Sequence, residues 1–237
     1  PVIGFSQKQE ITVDEAIAIA LKNNQGLEAS AQRIEQSQQL LGSAIDINKT
    51  EIYYGVDQNN IAPNNLPLNV WGINQSIQFP TVYGAQRKVM KGKSQLAKDQ
   101  YALDERSLSK EVAKVYYQIA YWQQMRSNYL YLDSLYSNFI YAANRRFEEG
   151  ESNYLEKLTA ETQGKEIALR LKQINQSIEK NYLMLQQWLQ TNVSYSIAPI
   201  ALERLPIKAL DTANHPALSY YTDAQKLAEQ QLKLERK

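Results

Sequence analysis

The chain has no cysteine and only one histidine, His215. Disulfides, thiolate metal ligands and a thiol nucleophile are therefore excluded. One histidine makes no His-x-x-x-His pair and no histidine-rich metal site. The three methionines, Met90, Met125 and Met184, are too dispersed for a copper relay. No run of eighteen apolar residues exists and the mean hydropathy is −0.51. That excludes a transmembrane helix, though not membrane β-strands, whose alternating signal is weaker. Neither charge dominates: 26 Lys and Arg face 25 Asp and Glu, and no basic stripe carries interleaved aromatics. A nucleic-acid surface is not expected. No glycine-rich phosphate loop follows a strand. The pairs Asp14-Glu15, Asp104-Glu105 and Glu148-Glu149 are neighbours in sequence, and adjacent helix positions do not face each other. Neither an enzyme nor a cofactor is expected.

Proline is missing throughout Gln86 to Phe147, and Gly92 is the sole glycine there. Apolar groups recur at alternating fours and threes: Leu108, Val112, Val115, Ile119, Trp122, Tyr129, Tyr136, Ile140, Ala143 and Phe147. Arg126 and Asp133 occupy slots of the same stripe. A sustained 3.5 repeat predicts a coiled-coil seam. About sixty residues at ~1.5 Å rise make a helix of roughly 90 Å, too long for a compact ball of this chain length. Gly150 is the expected C-terminal cap and Ser152 the expected N-cap of a returning helix, about Asn153 to Gln190. Ile167, Leu171, Ile174, Ile178, Leu185 and Trp188 form its stripe, with Asn181 polar within it. The fold class expected is mainly α: an elongated antiparallel helical hairpin over about 86–190, with shorter helices and one long β-hairpin.

The shorter helices come first. Thr12 and Glu15 spell a capping box before an apolar face of Ala16, Ile17, Ala20 and Leu21. Asn23-Asn24-Gln25-Gly26 breaks the pattern, and a second helix is expected from about Leu27 to Ile45. Period two then replaces helical period over about 50–80. One strand face carries Ile52, Tyr54 and Val56, then Trp71, Ile73, Ile77 and Phe79, with Gln75 as the exception. The other carries Glu51, Tyr53, Gly55 and Asp57, then Gly72, Asn74, Ser76 and Gln78. Strands of about nine residues also suit a tilted bilayer crossing. Pro80 is expected to end the second strand. Thr191 to Leu210 reads as irregular. His215-Pro216 then opens a last helix, with His215 in a turn or capping role. That start repeats the feature at Asn23 to Leu27 about 190 residues later, as in a duplicated chain cut early in its second copy. Residues 1–10, opening Pro1-Val2-Ile3-Gly4-Phe5-Ser6, read as the remnant of an export segment. Residues 11–210 read as a first repeat and 211–237 as the start of a second.

This order of elements resembles the TolC-like outer membrane efflux family. Ile11 to Asn24 looks like its opening helix, Arg146 to Leu155 like its periplasmic tip, and His215-Pro216-Ala217-Leu218 like the start of its second repeat, with His215 in place of the usual Asn. Gln58 to Asn65 and Gln78 to Gln86 are similar to the version fused behind heavy-metal RND pumps of the CusA/CzcA type in Bacteroidetes. The resemblance implies half of a protomer that gives strands to a shared trimeric barrel and helices to a periplasmic tunnel. It implies a passive duct for exported solutes, heavy-metal cations in the narrower version, located in the outer membrane and periplasm of a Gram-negative bacterium. Its implied partners are a periplasmic adaptor, an inner-membrane RND pump, outer-membrane lipid and two further copies.

On that reading Ile52, Tyr54, Val56, Trp71, Ile73, Ile77 and Phe79 meet lipid. Glu51, Tyr53, Asp57, Asn74, Ser76 and Gln78 line water. The tip, Phe147, Glu148, Glu149, Gly150, Glu151, Ser152 and Asn153, meets the adaptor with an acidic face. The alternative reading is a soluble periplasmic coiled-coil scaffold or adaptor. It accounts for the long helix but not for a two-faced hairpin.

Overall fold

The computed structural model describes residues 9–45, 47–61, 63, 67–200 and 215–236. The chain divides into two compact units, described in turn: Pro1–Leu27 with Asp104–Leu210, and Glu28–Leu103 with Asp211–Lys237.

The first unit opens with a strand that the sequence reading did not expect. β1 (Gln9–Ile11) pairs in parallel with β4 (Tyr195–Ile197), inside the stretch read as irregular, with Ile11 opposite Ile197. Three residues are too short to show a period. α1 (Val13–Asn23) begins at the expected capping box: the Glu15 N–H donates to Thr12 Oγ1 and the Thr12 N–H to Glu15 Oε2. Its Ala16 and Ala20 are fully buried. Asn24 alone separates α1 from α2 (Gln25–Gln39), and its Oδ1 accepts the Leu27 N–H at 2.9 Å. The polar break therefore caps a helix instead of forming a loop.

α3 (Pro80–Glu148) has 69 residues and belongs to both units. Its part in the first unit folds back on α4 (Tyr154–Leu189). The core here is Val112, Val115, Tyr116 and Ile119 of α3 with Ile174, Leu185 and Leu189 of α4, all at most 3% exposed. Val112, Val115, Ile119, Ile174 and Leu185 lie on the stripes the 3.5 repeat picks out, whereas Tyr116 and Leu189 are buried beside them. Toward the tip the stripe is only half-buried at Tyr129, Tyr136 and Ile140, and Arg126 is exposed. Asn181 is buried because its Nδ2 donates to the Ser177 carbonyl at 2.7 Å, which satisfies an amide among apolar neighbours. Gly164 of α4 faces Ile140; a Cβ there would lie 2.4 Å from Ile140 Cδ1, so the glycine allows the two helices to approach. Gln190 ends α4 in the left-handed region at φ 47°. Its Oε1 accepts the Gln25 N–H at 2.9 Å, and Asn23 Nδ2 donates to the Leu189 carbonyl at 3.2 Å. The Tyr116 hydroxyl donates to the Ile11 carbonyl at 2.9 Å and fixes β1 on α3.

In the second unit α2 stops at Gln39, short of the expected Ile45, and a 3-10 turn, Gly42–Ala44, follows. Gly42 is a poor helix former, and the Ser43 hydroxyl donates to the Leu40 carbonyl at 2.7 Å, which favours a turn there. β2 (Glu51–Ile61) and β3 (Pro67–Asn74) form an antiparallel two-stranded sheet. Pro80 does not end a strand. β3 finishes at Asn74, and Pro80 is the first residue of α3, where a fixed φ and a missing N–H are tolerated. Ser76, Ile77, Gln78 and Phe79 thus lie in the connection after the strand. α5 (Pro216–Glu235) is capped by His215, whose Nδ1 accepts the Ala217 N–H at 3.2 Å. α5 runs antiparallel along the start of α3. Ser219 reaches Asp99, while a Cβ on Gly92 would meet Gln230 Oε1 at 2.9 Å and Leu227 Cδ1 at 3.0 Å. Among the described residues no helix is long and apolar enough to cross a membrane.

Candidate functional site

Two places carry the expected site residues, one in each unit. In the first unit they cluster at the turn between α3 and α4. The Gly150 N–H donates to the Phe147 carbonyl at 3.1 Å and the Glu151 N–H to the Arg146 carbonyl at 2.8 Å. With Gly150 at φ 77° this is a Schellman cap. The α4 N-cap is Asn153, not the expected Ser152: Asn153 Oδ1 accepts the Glu156 N–H at 2.9 Å. Both side chains can cap, and here the helix starts one residue later, so Asn153 holds that position.

Several contacts at this turn were not legible from the motif. Arg146 Nη1 reaches Glu156 Oε1 at 2.9 Å and ties the two helices across the turn. Arg145 Nη2 reaches Glu149 Oε1 at 3.0 Å. That hydrogen bond, a second that Arg145 donates to the Tyr141 side chain, and the charge of Glu148 hold the Arg145 guanidinium more firmly protonated than usual. The Phe147 and Tyr154 rings meet edge-on at 6.0 Å, and Lys157 Nζ lies 5.1 Å over the Phe147 ring. The tip is therefore mixed in charge. Glu149 has a cationic partner, while Glu148 and Glu151 form no ion pair among the described residues.

In the second unit the hairpin register sets Ile52 opposite Ile73 and Tyr54 opposite Trp71, so the apolar residues share one face. The Tyr54 and Trp71 rings lie 4.6 Å apart. Val56 stands opposite Asn69, where the apolar face thins. On the other face Glu51 stands opposite Asn74 and Tyr53 opposite Gly72. The Tyr53 ring covers Gly72: a Cβ there would lie 2.1 Å from Tyr53 Cζ. Gln75, the polar exception, staples the base of the hairpin. Its Nε2 donates to the Asn48 carbonyl at 2.7 Å, and its Oε1 accepts from the Thr50 hydroxyl. Ile52, Trp71, Ile73, Ile77 and Phe79 are each at least 67% exposed. Among the described residues no further strand pairs with β2 or β3.

No group of three or more potential metal ligands occurs among the described residues. In chain order the described residues give a strand hairpin, a long two-helix hairpin and a further helix. The solved structures it is similar to include an outer membrane channel, an outer membrane protein and a membrane protein. The CmeC outer membrane channel of Campylobacter jejuni superposes with a TM-score of 0.68 at 12% identity, covering 99% of this chain and 58% of that one. A membrane protein from Pseudomonas aeruginosa gives 0.79 at 9% identity, covering 98% and 57%. The outer membrane protein VceC of Vibrio cholerae gives 0.72 at 12% identity, covering 94% and 58%. The chain thus has the TolC-like outer membrane channel fold and spans a little over half the length of these proteins. No protein-family model and no curated protein matches it.

Proposed function

We propose that this chain is part of an outer-membrane duct in a tripartite export system, a passive conduit and not an enzyme. The observation that carries the reading is the hairpin. An apolar face exposed over Ile52, Trp71 and Ile73, in a sheet of two strands, is unstable in water and calls for an apolar medium and for neighbouring strands. A closed barrel in a bilayer supplies both. Three copies sharing one barrel, as the resemblance implies, would place Ile52, Tyr54, Val56, Trp71 and Ile73 against lipid, and Glu51, Tyr53, Asp57 and Asn74 against water. Ile77 and Phe79 would then lie at the rim. The tip would meet a periplasmic adaptor, itself joined to an inner-membrane RND pump. Heavy-metal cations are the solute class the narrower resemblance favours.

Detergent phase separation tests this on the protein that carries the chain. It should enter the detergent phase as a trimer, and the triple variant Ile52→Gln, Trp71→Gln, Ile73→Gln should move to the aqueous phase with its helix content kept. A wild-type protein that stays wholly aqueous and never trimerises overturns the reading.

A further inference from the structure

The first part of α3 has an uneven charge that the duct reading does not use. From Pro80 to Lys98 the helix carries Arg87, Lys88, Lys91, Lys93 and Lys98, and no acidic residue. The rest of α3 carries six acidic and six basic residues. All five cations are exposed, and none forms an ion pair among the described residues. Cations on a helix are ordinarily solvated, but these follow directly on the exposed apolar hairpin. The helix that bears them is also tied to the connection that follows the hairpin. The Gln78 N–H donates to the Tyr83 hydroxyl at 3.1 Å and Gln86 Nε2 to Gln78 Oε1 at 3.2 Å, tying the connection to the first turns of α3.

We propose that Arg87, Lys88 and Lys91 form a docking surface for the anionic phospholipid headgroups of the membrane leaflet where the hairpin ends. This rests on the duct reading above, with α3 leaving along the membrane normal. Distances decide which cations take part. Phe79 marks the end of the apolar face. At ~1.5 Å per residue Arg87 lies about 12 Å beyond it, Lys91 about 18 Å and Lys98 about 29 Å. The headgroup layer adds roughly 5–7 Å to the hydrocarbon edge, and its surface potential fades within about 8–10 Å of that. With side chains that snorkel toward the headgroups, Arg87 and Lys88 reach the layer and Lys91 lies within its field. Lys98 is outside it and serves as an internal control.

Co-flotation of the protein that carries the chain with vesicles separates the contributions. Vesicles of phosphatidylcholine alone are compared with vesicles containing phosphatidylglycerol, at low and high salt. The wild type should favour the anionic vesicles at low salt. The variant Arg87→Gln, Lys88→Gln, Lys91→Gln should lose that preference by on the order of 100-fold, while Lys98→Gln keeps it. Circular dichroism checks that helix content is unchanged. Equal binding to both vesicle types, with no loss in the triple variant, overturns the headgroup proposal and leaves the duct reading standing. No binding to either vesicle by the wild type overturns both.

Discussion

Asp99 occupies the contact between α3 and α5 and is only 8% exposed. Gln95 Nε2 donates to its Oδ1 at 3.0 Å and the Ser219 hydroxyl at 3.4 Å. Burial pushes its carboxyl above the ordinary value, and the neighbouring charge of Asp223 adds to this against the opposing bond from Gln95. Asp223 moves the other way, held low mainly by its hydrogen bond from Lys226 at 2.8 Å. Because the folded form keeps the Asp99 proton longer than the unfolded chain does, its contribution to stability is present below the ordinary carboxylate value, about 3.9. It is lost as pH rises through the raised folded value. Asp223 works at lower pH: its contribution is present above the ordinary value and lost as pH falls. Replacing Asp99→Asn should flatten the decline of melting temperature on the alkaline side of about pH 4. Parallel melting profiles for wild type and variant would show that Asp99 does not set that slope. Nothing in the sequence marks this pair, since the two lie 124 positions apart. Gln75 is different: a polar residue in an apolar alternation was visible, and its bonds to Asn48 and Thr50 are the reason for it.

At the scale of elements, α3 and α4 were legible because a 3.5 repeat sustained over many turns leaves few alternatives. Their ends were less so. Pro80 reads equally as the stop of a strand or the first turn of a helix, and Ser152 and Asn153 are equally good caps. β1 and β4 were missed because their pairing is non-local and each has three residues. At the tip, shape and charge can be varied separately. Gly150→Ala puts a side chain at φ 77°, a local strain of about 1–2 kcal/mol. Glu151→Lys reverses a charge without breaking an ion pair. Glu149→Lys also breaks the exposed Arg145 pair, which solvent screens. If the tip docks an adaptor, Gly150→Ala and Glu151→Lys should each lower adaptor crosslinking and efflux while helix content stays constant. Unchanged crosslinking and efflux in both would remove the tip from the adaptor contact.

For the molecule as a whole, the two-faced hairpin and the long helices together define the architecture more firmly than any one motif. The wetted face, the lipid face and the partners proposed above all depend on assembly. Assembly has a direct readout. In water the amides of β2 and β3 should exchange with solvent far faster than those around Val112 and Leu185, because among the described residues this sheet has only two strands, with little burial. In detergent-solubilised trimers they should become protected. Hydrogen exchange followed by mass spectrometry reads both, and amides that exchange equally fast in trimers would argue against shared barrel strands.

The clasp at the foot of α1 has a kinetic consequence. Asn23 reaches Leu189, 166 residues away, and Gln25 reaches Gln190, 165 away. During synthesis, β1 and α1 emerge long before these partners exist. The α3–α4 hairpin can zip from its tight turn by local contacts, whereas β1 must wait for β4 and α1 for the end of α4. High sequence separation makes such closure the slow event in folding. The segment from β1 to α1, made well before its partners, is thus the last to be secured. Until then the apolar edge of Ile11, Ala16 and Ala20 stays open to whatever holds the nascent chain.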